Sequence, residues 1–359
     1  MKKVVICVPS LGTGGAERFA VDLALNLDKK KYDVIIAETR VHVDGIFKNM
    51  LLESGIRVEN LAGNNYITML RKQLLFLKRE KPDVIHANTG SVLHMMFSCW
   101  IKKVPTKIYT VHNEAKLLYG DNILKKIMYK FAFSIFGFIP VAICPTVKKT
   151  IEESLNIKAE KIPLVKNGVD IKKFFPSSYE KKQKPIKIIS VGSLYWIKNQ
   201  AMIIEAVDSI RKKGVDLELV LLGEGEERKN LEELVKHLNA EGYVFMPGIK
   251  RNVKEYLSES DIYLSASRTE GLPLSILEAM ACGLPIVSTC AGGVQDIVFN
   301  NQNGYVVDIE DKKGYENALL ELCCNIRKRK LFAKKSREIA ETWSLERCVN
   351  GYSKLYNNE

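Results

Sequence analysis

The sequence predicts an α/β protein of two domains, each a parallel β-sheet with helices on both faces. Its 359 residues exceed what one ordinary hydrophobic core holds. Short apolar strands alternate with amphipathic helices along the chain, and this alternation is typical of parallel sheets. The pattern starts again after a polar segment at residues 176–185. We therefore expect that segment to link a domain of residues 1–178 to a domain of residues 179–344.

Composition indicates a globular protein with reduced thiols. Charged residues make up 27% and apolar residues 46% of the chain, which separates it from disordered proteins. The eight cysteines form no C-x-x-C pair. This favours a cytoplasmic protein without a disulfide framework or a zinc site. The longest charge-free run, residues 131–147, is broken by glycine and proline and is shorter than the roughly 20 apolar residues that cross a bilayer.

The positive charge is concentrated in the first half of the chain. Residues 1–180 hold 28 basic and 17 acidic residues, a balance of +11, whereas residues 181–359 hold 26 and 25, a balance of +1. Such asymmetry indicates a polyanionic partner, either a membrane surface or a nucleic acid. Nucleic-acid-binding signatures are absent from the sequence, which favours a membrane. The alternative is a solvated basic face without a partner.

A basic and apolar helix is the strongest candidate for membrane contact. The pattern at residues 121–136 predicts a helix in which Lys125, Lys126 and Lys130 alternate with large apolar side chains. This combination suits docking on an anionic membrane surface.

The chain begins with a strand, a glycine-rich turn and a helix. Residues 3–9 read as a buried strand, residues 10–18 as the turn, and apolar spacing follows in residues 19–27. Neither the dinucleotide pattern G-x-G-x-x-G nor a G-K-[ST] loop is present. Gly14 and Gly15 would let the backbone approach a phosphate or a sugar, or would serve only a tight turn.

The remaining elements continue the alternation in both halves. Further strands are predicted at 32–37, 83–87, 106–111, 138–144, 186–192, 217–222, 243–246, 262–265 and 285–288. Further helices are predicted at 67–80, 199–211, 230–238, 253–257 and 345–356. We expect the last of these, within residues 345–359, to pack back on the first domain.

Residues 268–285 are predicted to form a loop and then a short helix with a well-defined C-terminal end. Ser275 and Glu278 have the spacing of a capping box, which predicts that the helix begins near Ser275. A glycine at 283 and a proline at 285 predict its end. The first turn would direct free N–H groups and a partial positive charge toward Glu270, where a phosphate would be stable. The alternative is a well-capped helix with no ligand.

Six motifs in order give the chain a family resemblance. They are G-T-G-G-A-E-R at 12–18, T-V-H-N at 110–113, N-G-V-D at 167–170, V-G-S-L…K-N at 191–199, E-G-L-P-x-x-x-x-E at 270–278 and A-G-G-V-Q-D at 291–296. In these motifs the chain resembles the bacterial retaining glycosyltransferases of family 4. The resemblance implies the GT-B fold, in which two Rossmann-like domains face each other across a deep cleft.

The resemblance also implies an activity. It is that of a retaining, metal-independent hexosyltransferase of the EC 2.4 class, which moves a hexose or N-acetylhexosamine from a nucleotide-diphosphate sugar to a lipid-linked glycan. Such enzymes serve capsule, exopolysaccharide or O-antigen synthesis as peripheral proteins on the inner face of the plasma membrane. Two alternatives are a cytosolic transferase with a soluble sugar acceptor and a catalytically silent sugar-binding protein of the same fold.

Three residues receive catalytic roles by resemblance. The departing nucleoside diphosphate is anionic, so the site must stabilise developing negative charge. Lys198 would meet the phosphates, Glu270 would lie beside the sugar ring, and His112 would lie near the donor sugar and the attacking hydroxyl. A histidine at a strand end is also a common structural residue.

Other matched positions would bind the donor. Glu278 would hydrogen-bond the ribose of the nucleotide. The remaining donor-side candidates are Gly14, Gly15, Asn167, Ser193, Asn199, Lys250, Gly271, Leu274, Ser275 and Ile276.

The sequence departs from the family pattern at the phosphate site. Ser193 stands where many relatives have an arginine, and either Arg268 or Lys250 is a candidate substitute. Asp296 replaces the usual glutamate. No Asp-x-Asp pair occurs in the chain, so we expect neither a metal nor another cofactor.

Overall fold

A computed structural model describes residues 1–12, 14–40, 46–176 and 185–359. The chain divides into two compact units. The first unit contains Met1–Asn167 together with Leu345–Glu359, and the second unit contains Gly168–Ser344.

The first unit is a six-stranded parallel sheet flanked by helices. Its strands are β1 (Lys2–Val8), β2 (Tyr32–Glu38), β3 (Arg57–Asn60), β4 (Val84–Asn88), β5 (Thr106–Val111) and β6 (Ile139–Ala142). Its helices are α1 (Gly15–Asn26), α2 (Ile46–Glu53), α3 (Tyr66–Glu80), α4 (Ser91–Ile101), α5 (Ala115–Tyr119), α6 (Ile123–Ser134), α7 (Pro145–Leu155) and α14 (Leu345–Asn357). The strand order is β3-β2-β1-β4-β5-β6, and every paired neighbour is parallel.

The second unit repeats this architecture. Its strands are β7 (Ile186–Val191), β8 (Leu217–Leu222), β9 (Val244–Gly248), β10 (Ile262–Ser265), β11 (Ile286–Thr289) and β12 (Gly304–Val307). Its helices are α8 (Gln200–Lys212), α9 (Arg228–His237), α10 (Val253–Glu259), α11 (Leu274–Ala281), α12 (Lys312–Cys324) and α13 (Ile326–Thr342). The strand order is β12-β11-β10-β7-β8-β9, again parallel throughout.

Burial explains why the central strands are apolar on both faces. In β1, the run from Val4 to Val8 is buried, because helices cover both sides of a parallel sheet. One face of this sheet packs on α1 through Phe19 and on α14 through Tyr352 and Tyr356. The α/β architecture predicted from the sequence is therefore confirmed.

Several elements escaped sequence analysis. Helix α4 was missed because its sequence is apolar nearly throughout and shows no helical period. Strand β3 was missed because it has four residues and only one of them, Val58, is apolar. The other missed elements are α2, α5, α7, α12, α13 and β12.

The compact units divide earlier in the chain than the predicted boundary between residues 178 and 179. Residues 168–176 belong to the second unit because α13 and the residues after it hold them. Val169 N donates to Trp343 O at 2.9 Å, and Arg337 Nη1 donates to Phe174 O at 2.9 Å. Residues 177–184 of the predicted linker lie outside the described residues.

No helix in the described ranges combines the length and the apolar character needed to cross a membrane.

Candidate functional site

The predicted residues of the second unit lie on loops at one edge of its sheet and in helix α11, which follows one of these loops. Strands β7, β10 and β11 are neighbours and run parallel, so the loops that follow them leave the sheet side by side. These loops are residues 192–199, 266–273 and 290–296. Ligands of parallel α/β sheets bind at this edge, beyond the carboxyl ends of the strands.

Lys198 and Glu270 form an ion pair on two of these loops. Lys198 Nζ lies 2.5 Å from Glu270 Oε1, although 72 positions separate the two residues in the sequence. The lysine side chain is 28% exposed and the glutamate side chain 12% exposed. The pair is therefore largely shielded from solvent, and its lysine is the more accessible partner.

Ser267 fixes the glutamate of this pair and was not predicted from the sequence. Its buried hydroxyl donates to Glu270 Oε1 at 2.7 Å. Its own carbonyl accepts a hydrogen bond from Thr289 Oγ1 at 2.6 Å, which ties the loop to β11. Two donors on Oε1 hold the carboxylate of Glu270 in one orientation.

The two glycines of the A-G-G-V-Q-D motif pack against the backbone of the Glu270 loop. Gly293 N donates to Gly271 O at 2.7 Å. Gly292 has a φ of +52°, and a Cβ atom there would lie 1.9 Å from the carbonyl oxygen of Glu270. Only glycine fits this close approach with this backbone conformation.

The predicted capping box at Ser275 is wrong. Helix α11 starts at Leu274 with Pro273 as its N-cap, and this N-cap residue makes no side-chain hydrogen bond to the helix. Pro273 O accepts from Ile276 N at 3.2 Å, so the first turn forms one residue earlier than predicted and Ser275 lies inside it. The predicted end is confirmed, because Gly283 follows the helix with a φ of +73°.

The first turn of α11 rests on a buried phenol. Tyr263 Oη donates to Val191 O at 3.2 Å, and its pKa is raised, mainly by burial. A hydrogen bond with Ser275 opposes that rise, whereas the nearby charges of Glu270 and Glu278 add to it. A neutral Tyr263 thus connects the end of β7 to the helix that begins beside Glu270.

Ser193, which stands where many relatives have an arginine, and the candidate substitutes Arg268 and Lys250 lie on different loops. Ser193 O accepts from Gln200 Nε2 at 2.9 Å, and Asn199 has a left-handed φ of +51° as the N-cap of α8. Arg268 adjoins the Lys198 turn, since its backbone N donates to Ile197 O at 2.8 Å and its guanidinium lies 5.7 Å from the ring centroid of Trp196. Lys250 follows β9 at the edge of the sheet.

His112 follows β5 in the first unit and is held by an asparagine. Its Nε2 lies 2.8 Å from Asn88 Oδ1, and burial lowers its pKa to about 3. Asn88 Nδ2 lies 3.3 Å from Cys7 O, which directs the amide oxygen toward the imidazole. We therefore assign the proton of neutral His112 to Nε2, which leaves Nδ1 as a hydrogen-bond acceptor.

A second buried histidine lies in the same core. His86 Nδ1 is 2.6 Å from Tyr356 Oη, and its Nε2 is 2.6 Å from Thr110 Oγ1. Burial lowers the pKa of His86 to about 3 as well. Tyr352 stacks on the imidazole with ring centroids 4.8 Å apart. The polar network of the first unit therefore anchors α14, and no sequence motif pointed to His86 or Asn88.

The two glycines before α1 differ in their surroundings. A Cβ at Gly14 would lie 2.3 Å from Glu17 Oε2, whereas at Gly15 it would meet nothing within 4 Å. Glu17 folds back over the start of its own helix, and burial raises the pKa of its carboxyl group.

Asn167 is buried, and its Oδ1 has no hydrogen-bond partner among the described residues.

A cavity of about 400 Å³ lies beyond the end of β3 and holds none of the predicted site residues. It is lined by Ala62, Gly63, Asn64, Thr68, Arg71, Lys72 and Leu75. Its lining carries two positive charges and no acidic side chain. Within this lining, Lys72 Nζ donates a hydrogen bond to Ala62 O at 3.2 Å.

The described residues contain no group of three or more His, Cys, Asp or Glu side chains that could hold a metal ion. No disulfide joins any two cysteines in this part of the chain.

Two family models match adjacent parts of the chain. The model described as Glycosyltransferase Family 4 matches residues 13–173, and the model described as Glycosyl transferases group 1 matches residues 171–339.

Named relatives and a solved structure agree with these matches. The N-acetylgalactosamine-N,N'-diacetylbacillosaminyl-diphospho-undecaprenol 4-alpha-N-acetylgalactosaminyltransferase of Campylobacter jejuni is 25% identical, over 96% of this chain and 96% of its own. The amylovoran biosynthesis glycosyltransferase AmsK of Erwinia amylovora is 30% identical, over 47% of this chain and 44% of its own. The crystal structure of Anabaena HepE in complex with UDP-glucose superposes over 100% of both chains with a TM-score of 0.87 at 19% identity.

Proposed function

Because this chain belongs to the group 1 and family 4 glycosyltransferases, we propose that it transfers a hexose or N-acetylhexosamine from a nucleotide-diphosphate sugar to a lipid-linked glycan, with retention of anomeric configuration. The observation that carries the proposal is the Lys198–Glu270 pair beside the N-terminus of α11. Such a site offers positive charge to a diphosphate and a carboxylate to a sugar.

The donor phosphates would bind at α11 and Lys198. The N-terminus of a helix stabilises anions through its unpaired N–H groups and its dipole. The N–H groups of Leu274 and Ser275 lie in the first turn, and the N-cap Pro273 offers them no side-chain cap. Lys198 supplies a full charge beside them, and Arg268 adjoins its turn. We assign Arg268, rather than Lys250, as the substitute for the arginine missing at Ser193.

The reaction breaks the bond between the anomeric carbon and the diphosphate oxygen, and it forms a bond from that carbon to the acceptor hydroxyl oxygen. Glu270 would stabilise the positive charge that develops on the sugar ring. A pKa of about 3 makes His112 a weak base at neutral pH. We therefore assign His112 to accept a hydrogen bond from a sugar hydroxyl through Nδ1. The proton of the acceptor hydroxyl would leave with the diphosphate.

We propose that the charge of the leaving diphosphate is balanced by Lys198 and α11 without a metal. Saturating EDTA should then leave the transfer rate unchanged. A loss of activity on chelation that Mg²⁺ or Mn²⁺ restores would overturn this part of the proposal.

The acceptor would carry phosphate. The cavity beyond β3 presents Arg71 and Lys72 in a lining that contains no acidic side chain, which suits a phosphate group. The name of the Campylobacter jejuni relative specifies a diphospho-undecaprenol acceptor, and the Erwinia amylovora relative is named for synthesis of a polysaccharide. These names support a lipid-linked acceptor and a role in capsule, exopolysaccharide or O-antigen synthesis.

The test is a transfer assay with a panel of nucleotide sugars and two acceptor sets. One set holds lipid diphosphate-linked sugars and the other holds the same sugars without phosphate or lipid. We expect transfer to the lipid-linked set, with the donor's α or β configuration kept in the product by NMR. Transfer only to the soluble set, or inversion at the anomeric carbon, would contradict the proposal. An absence of transfer with every donor would favour a sugar-binding protein.

A further inference from the structure

A broad apolar surface of the first unit is exposed to solvent. It consists of side chains from the end of α4 and from one side of α6, and we call it the α4–α6 face. Its members are Phe97, Trp100, Ile101, Ile123, Leu124, Ile127, Met128, Phe131 and Ile135, all exposed. Soluble monomers rarely leave so many large apolar side chains together in water, so such a surface indicates a partner.

Aromatic contacts make this surface continuous across the two helices. Phe97 and Phe136 lie with ring centroids 4.8 Å apart, and Trp100 and Phe136 lie 6.0 Å apart. Tyr66 of α3 extends the surface, with its ring centroid 6.3 Å from that of Phe97. The exposed aromatic side chains of α4 therefore contact Phe136, the second residue after the end of α6.

Helix α6 is apolar on two opposite sides, and the fold uses only one of them. Tyr129 and Ala132 are buried against the unit. Ile123, Ile127 and Phe131 recur every fourth residue and form a stripe on the exposed side. Leu124, beside this stripe, is 70% exposed. Packing within the unit does not explain the second apolar side.

The charges around the face identify its partner. Helix α6 carries Lys125, Lys126 and Lys130 and no acidic residue, and Lys102 and Lys103 directly follow α4. Four of these five lysines are exposed, and Lys126 is half-buried. A second copy of the chain bound face to face would bring these like charges together. An anionic lipid surface would attract them while its acyl chains receive the apolar side chains.

We propose that the α4–α6 face inserts into the headgroup and acyl boundary of an anionic membrane, with α6 lying in the plane of the bilayer. The stripe of Ile123, Ile127 and Phe131 enters the apolar layer, with Leu124 and Trp100 beside it. The lysine ammonium groups contact lipid phosphates at the ends of their flexible stems. The inference extends the proposed function, but the surface binds lipid whether or not sugar transfer occurs.

The test is co-sedimentation of the full chain with vesicles, without donor or acceptor. One vesicle set is pure phosphatidylcholine, and the other contains phosphatidylglycerol. We expect binding to the anionic vesicles that weakens as salt rises. The double variant Ile123→Gln/Leu124→Gln should bind these vesicles at least about tenfold more weakly, since it removes the two most exposed apolar side chains of α6.

A matched control exists on a basic helix of the second unit. Helix α13 begins at Ile326 after the N-cap Asn325, as α6 begins at Ile123 after Asn122, and its Leu331 is 63% exposed. Ile326→Gln/Leu331→Gln should keep wild-type vesicle binding. Equal binding of both double variants would overturn the proposal, as would equal wild-type binding to neutral and anionic vesicles. A wild-type dimer that Ile123→Gln/Leu124→Gln dissociates, without vesicle binding, would assign the face to a second copy instead.

Discussion

Lys198 Nζ and Glu270 Oε1 lie 2.5 Å apart, on loops that follow the neighbouring strands β7 and β10. The contact brings together a cation and a carboxylate that the sequence motifs had singled out separately. Before a donor binds, each charge partly neutralises the other. An arriving diphosphate would compete with Glu270 for the lysine, and the carboxylate would then be available to the sugar.

Lys198→Ala and Glu270→Ala should each lower the transfer rate by at least about 10²-fold, because each removes a charge that stabilises the transition state. The thermal unfolding of both variants should remain cooperative, since neither side chain belongs to a core cluster. Lys187→Ala is the matched control, because it breaks another ion pair of the second unit, with Glu259 at 3.2 Å. Wild-type rates in either site variant would contradict the assigned roles.

Ser267→Ala should lower kcat by about tenfold and leave KM for the donor nearly unchanged. The variant removes one of the two hydrogen bonds that orient Glu270. Steady-state kinetics check this split. Ser209→Ala is the control, since Ser209 makes a similar 2.8 Å hydrogen bond to Glu316 away from the site. Equal kinetics of the two variants would show that Ser267 does not position the carboxylate.

Gly292→Ala should destabilise the second unit by about 2 kcal/mol or more, because the new Cβ collides with the Glu270 carbonyl in a left-handed backbone conformation. It should also reduce transfer, since the displaced loop carries Glu270. Urea unfolding and the transfer assay measure the two effects. Gly242→Ala is the control, because its Cβ would meet nothing within 4 Å. A Gly292→Ala variant as stable as this control would refute the packing argument.

The free energy of unfolding should fall as the pH drops below about 6.5. His86 and His112 each have a folded pKa of about 3, well below that of an unfolded histidine. The unfolded chain therefore binds more protons, so this stabilisation is complete above about pH 6.5 and is lost as the pH falls toward 3. Each histidine contributes up to about 1.4 kcal/mol per pH unit.

Urea titrations at pH 7, 6 and 5 measure this slope. His86→Gln should be less stable at pH 7, because it loses contacts with Thr110 and Tyr356. Its stability should nevertheless fall less steeply with pH than that of the wild type. Parallel pH profiles for the two proteins would show that His86 does not titrate on unfolding.

Sequence patterns predicted the strands of both sheets well, because parallel strands are buried on both faces and appear as apolar runs. They predicted helices less well where amphipathic spacing was missing, as in α4. The exposed side of α6 illustrates the same limit. The sequence indicated a helix with lysines. Because apolar residues occur on two sides of this helix, periodicity could not tell its buried side from its exposed side.

Motifs predicted the paired residues Lys198 and Glu270 but not the residues that hold them. Ser267 and Asn88 act through contacts with residues distant in sequence, and a single serine or asparagine carries no local signal. The Ser275 capping box failed because Pro273 already accepts the first helical hydrogen bond. Spacing alone does not show where a helix starts.

The most direct test of the donor site is a thermal-shift panel of nucleoside diphosphates and nucleotide sugars with the wild type, Lys198→Ala and Lys187→Ala. A ligand at 100 times its dissociation constant adds about 2.7 kcal/mol of stability, which raises Tm by several degrees. We predict that at least one nucleotide sugar stabilises the wild type and Lys187→Ala, and that its effect is lost in Lys198→Ala. No shift with any nucleotide, or an equal shift in all three proteins, would contradict a diphosphate site built on Lys198 and Glu270.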